Sequence, residues 1–508
     1  MLRSISRLQS QPIVRSALAI GLVMLLARMA GYAEKIVLAY YFGTGYQVDV
    51  YTIVSTLITG IFVFVRELIE PGFLHTFIKA DKEEGRDAAW QLFFFFAKVI
   101  SVLAIVLTCI GCLFPVSVLR LLAPGLPAER LALAAGMVRL ALPACFFLSL
   151  TALTNITLNA FRKFGWPAMA ELIYKITILV CLVVLVGHAG IYAAGIGMLL
   201  GAALKLLVQF LQLKNRIKHP AGKIAREQVN RVWSLTWPLL AGAAFSQASV
   251  LFDNFLASYL QEGAIAALNY SRKLVDFPVS IFPYIISIVI FPYLNQLNLS
   301  QEQHRASQLL AESLAVIIVV FLPIALFCHL FPADLVALVF KRGAFQDSSV
   351  QMTAAPLRWY ALGLPFFAIE TVLTIYYFSH GDTRFPVFLG LGCTVLNMLL
   401  TAALVHYIGY TGIAIALVIT KGIKTAILLL KLPGSFYVRK KALQHFLWKA
   451  IAGAIIFLLI VTFAGNLMIH FSRETFARRL IYLVLVFSTG TVAYTATLKF
   501  LKVKLHFN

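Results

Sequence analysis

Arg28 and Lys35 stand seven residues apart in one apolar run, with Gly31 between them. Seven residues close about two turns of an α-helix, so the two cations share a face on which the glycine leaves room for a large group. Glu34 adjoins Lys35, and Asp49 opens the next apolar run, which reaches Arg66, Glu67 and Glu70 before Pro71-Gly72, a pair that lets a helix bend. Further on, Arg272, Lys273 and Asp276 place two cations and a carboxylate one turn apart, and Asp253 lies in the run before them. Cations gathered in this way surround an anion of two or more charges, and a guanidinium grips phosphate through paired hydrogen bonds that an ammonium does not match. Arg28, Lys35, Asp49, Arg66, Arg272 and Lys273 are therefore the expected ligand-binding set, with Glu34, Glu70 and Asp253 as coupling groups or counter-charges. For each residue alone a structural role stays open: Arg66 and Lys273 snorkelling to the interface, Glu34 and Lys35 neutralising each other, Asp49 capping a helix.

The elements that carry these charges make them expensive. Hydrophobic residues form 61% of the chain and charged ones 13%, with a mean hydropathy of +0.88 beside a formal net charge of +22. An ionised side chain at the centre of a lipid-facing helix costs roughly 2.5–3.5 kcal/mol, so charges inside such runs normally face a wet interior and mark a pathway. Apolar runs recur from about residue 12 to 502 and leave no stretch for a soluble domain of ordinary size. With about 20 apolar residues needed per crossing, the sequence predicts fourteen helices near 14–42, 48–78, 88–114, 128–160, 166–187, 190–213, 230–260, 264–296, 305–331, 350–379, 385–407, 410–431, 444–470 and 478–501. An all-α polytopic membrane protein is expected. Its basic start precedes a run too long for a signal peptide and without a small-residue cleavage site, so it reads as a retained first helix.

Basic residues alternate between connections. Arg3, Arg7, Arg15, Lys79, Lys82, Arg86, Arg162, Lys163, the Lys214–Arg231 connector, Arg439-Lys440-Lys441, Lys499, Lys502 and Lys504 fall on one side, which the positive-inside rule makes cytoplasmic, together with both termini. Lys341, Arg342, Arg473, Arg478 and Arg479 are the exceptions. Attraction of these loops to anionic head groups accounts for much of the charge, and no basic soluble module exists to hold nucleic acid. At a shift of 219 residues Glu34 meets Asp253, Tyr51 meets Tyr270, Pro167 meets Pro386, Gly190 meets Gly409 and Lys205 meets Lys424. The expected organisation is two six-helix bundles, 1–214 and 215–432, then two more helices and a basic tail in 433–508, with the substrate site between the bundles as in paired-bundle transporters.

Other polar residues are less telling. Glu171 and Lys175 have the spacing of a self-closing i,i+4 pair, Glu370 either binds an ion or pairs with a neighbour, and Asn397, Thr401 and Thr420 suit hydrogen bonds between helices. Cys109, Cys112, Cys145, Cys181, Cys328 and Cys393 lie in or beside apolar spans and read as packed thiols. Without a nucleophile elbow, phosphate loop or metal-binding cluster of side chains, no enzyme is expected and no cofactor.

Several motifs then bring a family into view. Arg28-Met-Ala-Gly31, Phe42-Gly43, Asp49, Glu70-Pro-Gly-Phe73, and the segment from Phe340-Lys-Arg-Gly343-Ala-Phe345 through Tyr376-Tyr-Phe378 to Asp382-Thr-Arg384-Phe-Pro386-Val resemble the MurJ (MviN) lipid II flippases of the MOP exporter superfamily. The resemblance implies a multi-pass protein of the bacterial inner membrane, acting as a monomer. It also implies a cationic cavity that accepts the pyrophosphate and sugars of an undecaprenyl-linked peptidoglycan precursor, a groove for the lipid tail on the last two helices, and outward transport by alternating access. Arg28 matches the family's first cavity arginine, Asp49 its following aspartate, and Arg66 lies at or beside the arginine of the second helix. Lys273 falls where the family usually has arginine, with Arg272 as a possible substitute. The family's second arginine is Glu34 here, which keeps open a flippase for another polyprenyl-linked glycan, such as an O-antigen, capsule or exopolysaccharide unit. Asp253, Asn397 and Thr420 resemble part of a sodium site of some relatives, with Thr401 where a carboxylate is expected. Coupling to membrane potential, protons or sodium is the corresponding expectation.

Overall fold

A backbone inside hydrocarbon must satisfy its own N–H and C=O groups, and a single-segment helix does so without a partner. Accordingly the computed structural model, which describes residues 12–217, 226–299, 302–432, 437–468 and 475–502, contains helices and no strand among those residues. Arg3, Arg7, Arg473 and Lys504 lie outside the described residues, as does the middle of the Lys214–Arg231 connector.

In chain order the helices are α1 Pro12–Phe42, α2 Tyr46–Lys79, α3 Arg86–Leu113, α4 Pro115–Leu122, α5 Ala128–Ala141, α6 Ala144–Ala160, α7 Gly165–Ala189, α8 Tyr192–Leu213 and α9 Arg226–Ala257. They continue as α10 Ala264–Leu299, α11 Gln303–Leu330, α12 Pro332–Phe340, α13 Asp347–Leu362, α14 Leu364–Ser379, α15 Arg384–Ile408, α16 Thr411–Leu430, α17 Tyr437–Leu467 and α18 Phe476–Phe500. Ten spans among the described residues are long and apolar enough to cross a bilayer, or eleven if α13 and α14, bent by 44°, count as one.

Turn chemistry repeats where the sequence repeats. Phe114 (φ −119°, ψ 50°) and Phe331 (φ −118°, ψ 46°) each precede a proline that starts a short helix, α4 or α12, and proline suits that first position because its missing N–H has no partner there. Gly190 and Gly409, at φ 53° and 62°, end α7 and α15 in a conformation that favours glycine. Neither short helix is among the fourteen expected from the sequence.

The chain packs as two compact units, one up to Ala266 and one from Ala267 onward. This boundary lies beyond the 214/215 limit of the repeat because α9 packs along α2. In the first unit, Phe73, Phe77, Trp90 and Phe93 of α2 and α3 form the aromatic heart of a buried core that Leu153, Ile156 and Leu158 of α6 complete. In the second, α17 and α18 join α11 around Phe327, Phe457, Tyr482, Val486 and Tyr494.

The Pro71-Gly72 pair, which lets a helix bend, lies inside the continuous α2. Gly72 also serves close packing: a Cβ there would stand 2.5 Å from the Val232 carbonyl oxygen and 2.6 Å from the Thr236 hydroxyl of α9. Gly72→Ala is therefore expected to force α2 and α9 apart at a cost of about 1–3 kcal/mol, seen as a lower melting temperature in detergent; an unchanged melting curve would show that the crossing yields freely.

Candidate functional site

In the first unit the charged residues are drawn from α1, α2, α7 and α8 into a linked set. Glu34, 3% exposed, accepts a hydrogen bond from the Tyr51 hydroxyl at 2.8 Å and pairs with Lys35 at 3.1 Å and with Lys175 at 3.9 Å. Lys35 is also buried, with its ammonium 5.0 Å from the centre of the Tyr51 ring. Glu171 does not close on Lys175, as its i,i+4 spacing suggests. It pairs instead with Lys205 of α8 at 2.7 Å. Lys205 is 2% exposed and lies over the rings of Phe62 at 4.6 Å and Tyr174 at 5.5 Å, so its charge is held by one carboxylate and two aromatic faces. Arg66, one turn beyond Phe62, lies within electrostatic reach of Glu171 and pairs with Glu70 at 3.8 Å.

Arg28 is exposed on α1, one turn before Gly31. The space that Gly31 opens is taken by Lys175: its Cδ and Cε lie 3.7 and 3.8 Å from where a glycine Cβ would be. Because helix packing brings α7 against α1, a side chain absent from the expected set enters the middle of the first-helix motif.

Asp49 stands in a different setting. Its buried carboxylate accepts the backbone N–H groups of Gly263 and Ala266, both at 2.7 Å, and so caps the start of α10. Around it Glu262 accepts from the Tyr46 N–H at 3.1 Å and from Arg130 at 2.5 Å, while the Gly125 N–H donates to the Ser258 hydroxyl at 3.1 Å. The 258–266 connection is thereby tied to α2 and to the 123–130 segment.

In the second unit Arg272 pairs with Asp276 at 3.1 Å and lies over the rings of Tyr360 and Phe367, at 5.8 and 5.7 Å. Lys273, half-buried, follows it. Glu370 pairs with Lys421 at 2.7 Å and Lys424 at 2.6 Å, so it takes the pairing alternative, with two cations at once. Lys205 and Lys424 are equivalent in the repeat, yet their carboxylates come from different helices, α7 and α14. Asn397, Thr401 and Thr420 are buried, and the Thr420 hydroxyl donates to the Ala416 carbonyl of its own helix at 2.7 Å. Asp253 belongs to the first unit and is half-buried. Among the described residues no three histidine, cysteine, aspartate or glutamate side chains are grouped to hold a metal ion.

The family model described as lipid II flippase MurJ matches residues 38–487. A probable lipid II flippase MurJ of Vibrio cholerae is 27% identical over 474 residues, covering 88% of each chain. The lipid II flippase MurJ of Burkholderia cenocepacia is 25% identical over 417 residues, 79% of this chain and 80% of its own. Among solved structures, a lipid II flippase MurJ in an inward closed conformation aligns with a TM-score of 0.79 at 22% identity, covering 95% of this chain and 99% of that one. An inward-facing multidrug resistance MATE family transporter of the MOP superfamily aligns at 0.67 and 14% identity, covering 83% and 95%. At such identities the structural likeness establishes the fold.

Proposed function

This chain belongs to the lipid II flippase MurJ family, and from that premise we propose that it carries lipid II from the inner to the outer leaflet of the bacterial inner membrane by alternating access. The observation that carries the reading is the charge balance of the linked set on α1, α2, α7 and α8, where Lys35, Arg66, Lys175 and Lys205, with Arg28 nearby on α1, outnumber the paired carboxylates Glu34, Glu70 and Glu171. A surplus of cations on helices within the bilayer is tolerated where water or an anion offsets it, and a diphosphate supplies two or more negative charges. Arg28, Arg66, Arg272 and Lys273 are assigned to the head group, and the Glu34 carboxylate makes a different polyprenyl-linked glycan the second reading. The eleven apolar spans together with the long helices α1, α9 and α10 would make fourteen crossings, an even number that puts both termini on one side, which the basic connections make the cytoplasm. The transporter acts as a monomer without a cofactor, its two states biased by membrane potential, protons or sodium.

The test is rescue of peptidoglycan synthesis in cells depleted of their own lipid II flippase. Wild type is expected to restore growth, and Arg28→Ala to insert normally yet lose at least about tenfold in transport, the loss expected when a charge-assisted contact worth about 1.5–3 kcal/mol is removed. Failure of the wild type in a host that inserts it would reject lipid II as the cargo, and full rescue by Arg28→Ala would take that residue out of the pathway.

A further inference from the structure

We infer that Lys175 is a phosphate-binding cation of the first unit, partnering Arg28, and that Glu34 is the residue that positions it. This rests on the flippase reading above and names a side chain for it. The three charges at the centre of the cluster are unequal in their surroundings. Oε1 of Glu34 is taken by Tyr51 and Lys35, and the Lys35 side chain is 11% exposed. Lys175 approaches Oε2 at 3.9 Å, beyond hydrogen-bond length, and 30% of its side chain remains accessible. Its neighbour on the same helix face, Glu171, is engaged by Lys205 at 2.7 Å. Two carboxylates, Glu34 and Glu171, among three ammonium groups, Lys35, Lys175 and Lys205, leave a single positive charge over, and Lys175 is the most accessible of the three.

Position gives that charge a use. The methylenes of Lys175 cross α1 at Gly31, one turn from the exposed Arg28, so the ammonium and the guanidinium flank the same short stretch of α1. A guanidinium offers a planar fork and an ammonium a compact charge with three donors; the two together suit the paired phosphates of a diphosphate ester better than a single phosphate. Lys175 thus supplies, from α7, a cation in the neighbourhood of the position where α1 carries Glu34. The glutamate is no obstacle to an anion, because it is 3% exposed, Lys35 and Tyr51 take one of its oxygens and Lys175 lies 3.9 Å from the other.

The experiment measures binding of undecaprenyl diphosphate, undecaprenyl monophosphate and inorganic pyrophosphate to the purified full chain in lipid nanodiscs. Wild type is expected to prefer the lipid diphosphate to the monophosphate by about tenfold, and Lys175→Gln to lose most of that preference while monophosphate affinity changes less than about twofold. Lys175→Arg should restore the preference. Glu34→Gln, which keeps the shape and frees the lysine, should lower it by a few-fold. Gly31→Val provides a second arm, independent of any folding defect in Lys175→Gln: its branched side chain pushes Lys175 aside without removing the charge, and the same loss of preference is expected. Unchanged preference in both Lys175→Gln and Gly31→Val overturns the role of Lys175 and leaves the flippase reading standing. A wild-type chain that binds no undecaprenyl diphosphate overturns both. Pyrophosphate is expected to compete weakly; displacement by the free ion at equal concentration would overturn the assignment to a lipid-borne group.

Discussion

Glu34→Arg, the exchange that restores the arginine expected from the family resemblance, should unfold or inactivate this protein rather than improve it. The carboxylate is 3% exposed and has Tyr51, Lys35 and Lys175 around it. Removing one partner of a buried charge pair costs about 3–5 kcal/mol, and arginine adds a third cation where two already face each other. The expected result is a large fall in melting temperature in detergent and no transport. Lys175→Glu in the same background reverses the pair and should recover a substantial part of the stability, so a double-mutant cycle would return a coupling of about 1–3 kcal/mol. Glu34→Arg with wild-type stability would mean that the lysines turn away without cost and that the cluster is loosely held.

The same site shows which information local spacing carries. Helix positions were legible because each crossing needs about 20 apolar residues, and the repeat was legible because Pro167 and Pro386, or Gly190 and Gly409, mark equivalent turns. The helices α4 and α12, eight and nine residues long, fall below that length requirement, and a Phe-Pro pair is their only local mark. Glu171 and Lys175 have the spacing of a closed pair, yet Glu171 is held by Lys205, 34 residues further along, and nothing in the i,i+4 pattern registers a third residue on another helix. Gly31 announced a space on α1; what fills it depends on which face of α7 packs there. The candidate residues were therefore recognisable as charges out of place, while their partners were set by packing between helices.

Asp49 is the case in which the partner is most remote, and the second large effect is expected there. Its two oxygens accept the N–H groups of Gly263 and Ala266, 214 and 217 residues away. Asp49→Ala leaves both donors buried without an acceptor, at about 1–3 kcal/mol each, whereas Asp49→Asn keeps one oxygen and should cost about half as much. Gly263→Ala attacks the same junction from the other side. Gly263 has φ +81°, a conformation that L-residues rarely adopt, and a Cβ there would stand 2.2 Å from the Thr44 carbonyl oxygen. Backbone meets backbone at that point, so no side-chain rotation relieves the clash, and the 258–266 connection has to lift from the start of α2. Both Asp49→Ala and Gly263→Ala are expected to increase hydrogen exchange selectively over 258–266 and the first turn of α10, with Gly263→Ala the more severe. If the connection must also move during transport, the variants will alter the rate of head-group export more than the amount of protein in the membrane. Exchange that rises evenly along the chain would instead mean that this junction supports the whole fold and has no separate part in the cycle.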